Sequence, residues 1–292
     1  MDIGLVAPFG NSPGRDLGFL REYMPAIEAK GFSSYWAPEH VVFFDLDQYE
    51  SKYPYDAAGK PPFPDGAALF DPLFVIAAAA QVTTTLRFAT SVLILPQRPA
   101  LLTAREVMTL DHLTEGRFEF GVGAGWSSEE YEALGVSFAR RGKRFDEYIA
   151  AIRTAWSESR ASYHGEFVSF DNAIIAPHPL TPGGPPFLIG GDSDAAMRRA
   201  ARCGDGWYGW WSNYELEPHL EKLREQLAAH GRQNDASFKL KLGLNADPDP
   251  EKLPAKIEEA KRLGVQELSV AAKMSSKNFA AELDAWASAA GL

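Results

Sequence analysis

Residues 187–211 read FLIGGDSDAAMRRAARCGDGWYGWW. Phe187-Leu188-Ile189 is a short apolar run of the kind that forms a buried strand. Two glycines and Asp192-Ser193 follow, and 194–203 has helical spacing, with Gly204 closing it. A second strand runs over 206–211. Strand, helix and strand in succession make a parallel unit.

The same alternation extends in both directions. Upstream, Ile3 to Ala7 form an apolar run that stops at Pro8. Residues 16–30 place Leu17, Leu20, Met24 and Ile27 on one helical stripe, which Gly31 ends. Residues 34–37 are a strand closed by Pro38. Residues 71–81 are a helix with Asp71 at its start and Pro72 in its first turn. A β-rich run over 86–95 stops at Pro96, a helix over 99–113 is broken at Gly116, a strand over 118–123 ends in glycines, and 143–156 is helical. Downstream come a helix over 214–230, a strand over 238–243, a helix over 250–263, a strand over 267–271 and a helix over 277–290. Eight strands alternate with eight helices. Right-handed crossovers leave a closed barrel or an open doubly wound sheet, and the length and count favour the barrel. Two stretches interrupt the rhythm. Residues 41–68, rich in Pro, Gly, Asp and aromatics, read as a lid after the second strand. Residues 163–186 read as an insertion with short strands before the fifth. The expected fold is therefore α/β, a (β/α)8 TIM barrel with insertions after strand 2 and before strand 5, forming one domain over 1–292.

The chain carries 29 Lys and Arg against 39 Asp and Glu, a formal charge of −10. Such a balance disfavours nucleic acid and anionic membranes as partners. The longest apolar run, 73–80, is too short to span a bilayer. The start of the chain lacks a basic segment followed by a long apolar one, so no signal peptide is expected and the reading is cytoplasmic. A single cysteine, Cys203, allows no intrachain disulfide and reads as a packed helix residue. His112, His164, His178, His219 and His230 are scattered without metal-ligand spacing, so no metal site is expected.

In a barrel the chemistry lies where strands end at their C-termini. Behind the second strand stand Glu39 and His40, a carboxylate and an imidazole that suit acid–base work and equally suit an ordinary surface loop. Thr90, Ser91 and Val92 interrupt the third strand's apolar run, as a bulge beside a flat ring would, or as a plain core strand. Gly121, Gly123 and Gly125 let another group approach the main chain closely. They lack the spacing of a dinucleotide fingerprint. Gly190-Gly191-Asp192-Ser193 feed a helix start, which makes either a phosphate cradle or a simple helix cap. Trp207, Tyr208, Trp210 and Trp211 suit a pocket wall or core packing. Arg140-Arg141 and Arg198-Arg199 read as solvated faces.

Taken together, these pieces resemble the luciferase-like monooxygenase superfamily, and most closely its F420-dependent oxidoreductases. The resemblance is carried by Gly31-Phe32-x-Ser34-x-Trp36-x-x-Glu39-His40, residues 89–96, Thr109-Leu110-Asp111-x-Leu113-Thr114-x-Gly116-Arg117, residues 121–126 with Glu130 and Gly135, and Gly190-Gly191 with Gly204-Asp205-Gly206-Trp207. It spans most of residues 1–211. It implies an enzyme that moves a hydride between coenzyme F420 and a small organic substrate. An FMN-dependent monooxygenase using O2, with a separate cofactor reductase, is the alternative on the same barrel, and a non-catalytic flavin-binding barrel is a third. The resemblance further implies His40 as the acid–base residue and Glu39, where an aspartate is more usual, as its orienter or a ring contact. It places a non-proline cis peptide at Ser91-Val92 behind the ring. Thr90, Ala124 and Gly125 would lie along the cofactor, and Gly190, Gly191, Asp192, Ser193 and Ala195 would form the phosphate-binding turn. Trp36, Phe43, Trp126, Glu130 and Trp210 would shape the substrate pocket. Trp126 stands where F420-dependent sugar-phosphate dehydrogenases carry a catalytic glutamate, which argues against that activity. Relatives are frequently dimers, so a homodimer is expected.

Overall fold

The computed structural model describes residues 1–7, 17–61, 63, 69–212, 214–245, 249–272, 274 and 277–292. Pro8 and Asp16, expected to end the first strand and begin the first helix, lie outside the described residues, as do residues 62 and 64–68 of the stretch expected to form a lid.

The strands are β1 (Asp2–Val6), β2 (Ser34–Ala37), β3 (Arg87–Thr90), β4 (Leu93–Ile94), β5 (Phe118–Gly123), β6 (Ala161–His164), β7 (Ser169–Ala173), β8 (Phe187–Gly190), β9 (Gly206–Trp210), β10 (Lys239–Asn245) and β11 (Glu267–Ala271). Eight of them, β1, β2, β3, β5, β8, β9, β10 and β11, pair in parallel in chain order, and β11 returns to β1. The ring is a closed (β/α)8 barrel, which removes free sheet edges. Around it run α1 (Leu17–Ala29), α2 (Pro72–Ala80), α3 (Ala100–Leu113), α4 (Ser128–Ala133), α5 (Arg141–Ser157), α6 (Asp194–Cys203), α7 (Leu216–Ala229), α8 (Leu253–Arg262) and α9 (Phe279–Ala290). The insertion before β8 holds the antiparallel β6–β7 hairpin. The short α4 has no counterpart in the sequence reading.

The third strand departs from expectation. The sequence reads as one strand over 86–95, but the ladder breaks at Ser91-Val92, whose peptide bond is cis. Ala89 faces Glu119 and Leu93 faces Val122, so four steps on one side match three on the other. One extra residue is a β-bulge. The glycines of β5 and β8 make room for it. A Cβ on Gly121 would stand 1.8 Å from the Thr90 carbonyl oxygen, and one on Gly123 or Gly190 would stand 2.6 Å from a Val92 methyl. The group that approaches these glycines is the chain's own bulge.

The lower barrel interior is ionic. Lys241 is buried between Glu119 and Glu267, with its ammonium 2.7 Å from the latter, and Arg87 also donates to Glu267 at 2.8 Å. Trp36 donates from Nε1 to Glu267 at 2.7 Å and stacks on Tyr208 with centroids 4.3 Å apart. Every charge has an opposite partner, as burial demands.

On the outer face, Glu28 at the end of α1 accepts from the backbone N–H groups of Thr84, Thr85 and Leu86 at 2.8, 2.5 and 2.7 Å. Partial burial pushes this carboxyl up, but these donors outweigh it and hold it at about 2. A depressed acid stabilises the fold above its unfolded value, and that contribution is lost as pH falls through the folded one. Glu28→Gln is therefore expected to lower stability by about 1 kcal/mol at neutral pH, kept small by solvent screening. Urea midpoints of the two proteins should converge as pH falls from about 4.5 towards 2; a constant difference would refute this account.

Candidate active site

A cavity of about 850 Å³ opens at the C-terminal ends of the strands. Its walls come from widely separated chain segments: His40 behind β2, the bulge behind β3, Gly123 to Trp126 behind β5, Gly190 to Ser193 behind β8, Tyr208 and Trp210 on β9, and residues 52–55 of the lid. The fold thus brings together Glu39, His40, Ser91, Val92, Ala124, Gly125, Trp126, Glu130, Gly190, Gly191, Asp192, Ser193, Ala195 and Trp210. Three expected members stand elsewhere. Thr90 is fully buried and donates from Oγ1 to the Gly121 carbonyl at 2.6 Å, fastening the bulge. Trp36 belongs to the ionic barrel interior, because its indole N–H needs the partner that Glu267 supplies. Phe43 packs behind His40, with ring centroids 5.2 Å apart, rather than against the cavity.

His40 lies among Phe43, Phe63 and Trp126, with centroids 5.2 to 6.0 Å away. Its Nδ1 is 3.3 Å from Glu130 Oε2. The other oxygen of Glu130 accepts from the N–H groups of Val41 and Val42 at 2.5 and 3.3 Å. Glu130 sits in the first turn of α4, whose N-cap Ser127 accepts from its N–H.

Glu39 corrects the sequence reading. Its carboxylate does not face His40. Oε2 accepts from Ile94 N–H at 2.6 Å, and Oε1 accepts two bonds from Arg98 at 3.0 and 2.5 Å. Arg98 also binds Asp71 at 2.6 Å, so one guanidinium ties residue 39 to the start of α2. Burial pushes the Glu39 carboxyl up, against the pull of Arg98 and the Ile94 N–H. The longer side chain reaches past the mouth to brace the strand behind the bulge. The carboxylate that faces His40 is that of Glu130, which the sequence reading placed among substrate contacts.

Ser193 accepts from the Ala196 N–H at 3.2 Å and caps α6. The Asp192 carboxylate is engaged by the Trp210 N–H at 3.1 and 3.2 Å and lies 3.7 Å from His219. Burial pushes that carboxyl up. It serves the β9 end and faces α7. The cations are the residues that sequence reasoning missed. Arg141, Arg199 and Lys52 all line the cavity. Arg140 pairs with Glu166 and Arg199 with Asp146, while Arg141 stacks on Phe138 at 3.8 Å and has no carboxylate partner among the described residues. Burial and the nearby Arg199 push the Arg141 guanidinium below its ordinary value. Arg141 is half-buried and donates from Nε to the Gly125 carbonyl at 3.2 Å, and a guanidinium beside a helix N-terminus suits an anion. Nothing in the dipeptide Arg140-Arg141 distinguishes the solvated member from the lining one.

Among the described residues no cluster of His, Cys, Asp and Glu could hold a metal ion, and no helix is long and apolar enough to cross a membrane.

Residues 1–289 match the family described as luciferase-like monooxygenase. The chain belongs to that family. An uncharacterised protein of Mycobacterium tuberculosis is 39% identical over 216 residues, 72% of this chain and 73% of that one. Among solved structures, monooxygenase RslO1 from Streptomyces bottropensis superposes with a TM-score of 0.78 at 18% identity, covering 99% of this chain and 98% of that one. The coenzyme F420-dependent tetrahydromethanopterin reductase of Methanopyrus kandleri gives 0.74 at 14% identity, with 98% of each chain covered. At these identities the structural likeness establishes the barrel, and family membership places the chain among luciferase-like oxidoreductases and monooxygenases.

Proposed function

We propose that this protein transfers a hydride between coenzyme F420 and a small organic substrate, with His40 as the acid–base residue. The observation that carries the reading is that one cavity joins the His40–Glu130 pair to the glycine turn at the start of α6, with Arg141 and Arg199 on its wall. Bound F420 would supply the two-electron hydride chemistry. The residues fit such a group. The bulge at Ser91-Val92 and the segment Ala124-Gly125 would support a flat ring system, and Gly190, Gly191, Ser193 and Ala195 with Arg141 and Arg199 would hold its phosphate. His40 would hold or accept the substrate proton at Nε2, the nitrogen turned away from Glu130. Trp126, Trp210 and Tyr53 would exclude water.

The number of cations supports F420 in particular. A flavin phosphate carries at most two charges, which a helix start and one guanidinium can balance. Arg141 and Lys52, beside an Arg199 already paired with Asp146, would suit a longer polyanionic tail. The second reading, FMN-dependent monooxygenation with O2 and a separate reductase, is supported by the monooxygenases for which the family is named.

Fluorescence titration of the purified protein with F420 and with FMN tests the choice. F420 is expected to bind at least about tenfold more tightly, a difference of about 1.4 kcal/mol; tighter FMN binding would overturn the proposal. Arg141→Met is expected to weaken F420 by about tenfold to hundredfold, the worth of a hydrogen bond to a charged group. Unchanged affinity would remove Arg141 from the anion site.

A further inference from the structure

The lid meets the barrel at α4, and it does so through two adjacent carboxylates. Glu129 accepts from the N–H groups of Glu50 and Ser51 at 2.8 Å each, and Ser51 and Ser128 share a hydroxyl contact at 2.7 Å. One residue further on, Glu130 accepts from Val41 and Val42 with one oxygen and faces His40 Nδ1 with the other. Glu129 serves the strap through Oε1 and accepts from the Ser127 hydroxyl at 2.8 Å through Oε2, with no contact to the imidazole. Glu130 touches the root of the strap and the imidazole together, and it is 2% exposed.

We infer that Glu130 is a positioning residue that links seating of the lid to the tautomer of His40. This rests on the reading of His40 as the acid–base residue. A carboxylate only accepts hydrogen bonds. At 3.3 Å from Nδ1, its negative charge favours a proton on that nitrogen and leaves Nε2 of the neutral ring as the acceptor. Backbone donors at Val41 and Val42 fix the direction of the same carboxylate. When residues 41–42 are seated, Oε1 is occupied and Oε2 is aimed at His40. When they lift, the carboxylate loses its two fixed donors and the ring loses its orienter. Closing the strap over a ligand and arming the base become one event.

Substitutions at the two glutamates separate this from a merely structural role. Glu130→Gln is isosteric. Its amide oxygen can still accept from Val41 and Val42, but its NH2 then faces Nδ1 and favours the opposite tautomer. Nitrogen-15 spectra of histidine-labelled protein are expected to show neutral His40 protonated at Nδ1 in the parent and at Nε2 in Glu130→Gln, with the His40 signal identified by its loss in His40→Ala. Amide exchange at 41–42 should stay slow in Glu130→Gln and quicken about tenfold to hundredfold in Glu130→Ala. Glu129→Ala should quicken exchange at 50–51 alone and leave the His40 tautomer unchanged. Under the proposed activity, Glu130→Gln should also lower kcat by about 10²-fold or more.

The same tautomer in parent and Glu130→Gln, or unchanged exchange at 41–42 in Glu130→Ala, overturns the inference. The spectra and exchange rates need no turnover. If they behave as expected while neither cofactor supports catalysis, the proposed activity fails and the link between lid and imidazole stands.

Discussion

His40→Ala is expected to lower turnover by about 10²- to 10⁴-fold, the usual contribution of a positioned acid–base group, while cofactor affinity changes by no more than about threefold. The two effects separate because different parts of the cavity serve them. His40 stands behind β2 with Nδ1 on Glu130, whereas the proposed cofactor contacts come from the bulge behind β3, the glycine segment behind β5 and the start of α6. Truncation leaves Glu130 in place, still bound to Val41 and Val42, so the strap keeps its seat. It also leaves a gap among Phe43, Phe63 and Trp126. That gap is expected to be the size of an imidazole, which makes rescue by added imidazole a further check. Steady-state kinetics with F420 and a fluorescence titration measure the two quantities on one preparation. A variant that retains full kcat would remove His40 from the reaction; one that loses affinity and rate together would make it a binding residue instead.

Gly121→Ala is expected to be the most damaging small substitution in the barrel. Its Cβ would stand 1.8 Å from the Thr90 carbonyl oxygen and 3.0 Å from the carbonyl carbon. Both atoms are backbone, and Thr90 is held by its own hydroxyl bond to the Gly121 carbonyl. Neither strand can yield without breaking the ladder that Phe88 and Ala89 make with Phe118 and Glu119. Overpacking that a core can absorb costs about 1–3 kcal/mol, and this site lies at or beyond the upper end. Gly123→Ala and Gly190→Ala offer the contrast. Each would meet a Val92 methyl at 2.6 Å, a side chain that Val92→Ala removes. Those two variants are expected to recover most of their stability when combined with Val92→Ala, whereas Gly121→Ala is not. Urea unfolding of the single and double variants decides it, and a Gly121→Ala protein with the parent's midpoint would show that the bulge adjusts freely.

Particular residues show how far the sequence could be read. The rhythm of apolar runs, helical stripes and Gly or Pro stops located all eight barrel strands and the two insertions, because those signals are local. The third strand was read through its break, since Leu86 to Leu95 is apolar and β-rich on both sides of Ser91-Val92. Glu39 and His40 were read as a pair because they are neighbours in sequence, yet their side chains serve different partners. The partner of Glu39 is Arg98, and that of His40 is Glu130. Arg140 and Arg141 could not be told apart, although one meets Glu166 at the surface and the other lines the cavity.

By itself, then, the chain determined the eight barrel strands, the helices that alternate with them and their parallel order, since each depends on side chains a few positions apart. Tertiary structure decided which of those ends touch. Barrel closure and strand register bring Glu130 to His40 and Arg141 to the start of α6 across long stretches of chain. No local periodicity encodes such a meeting, because it depends on the summed geometry of every strand between.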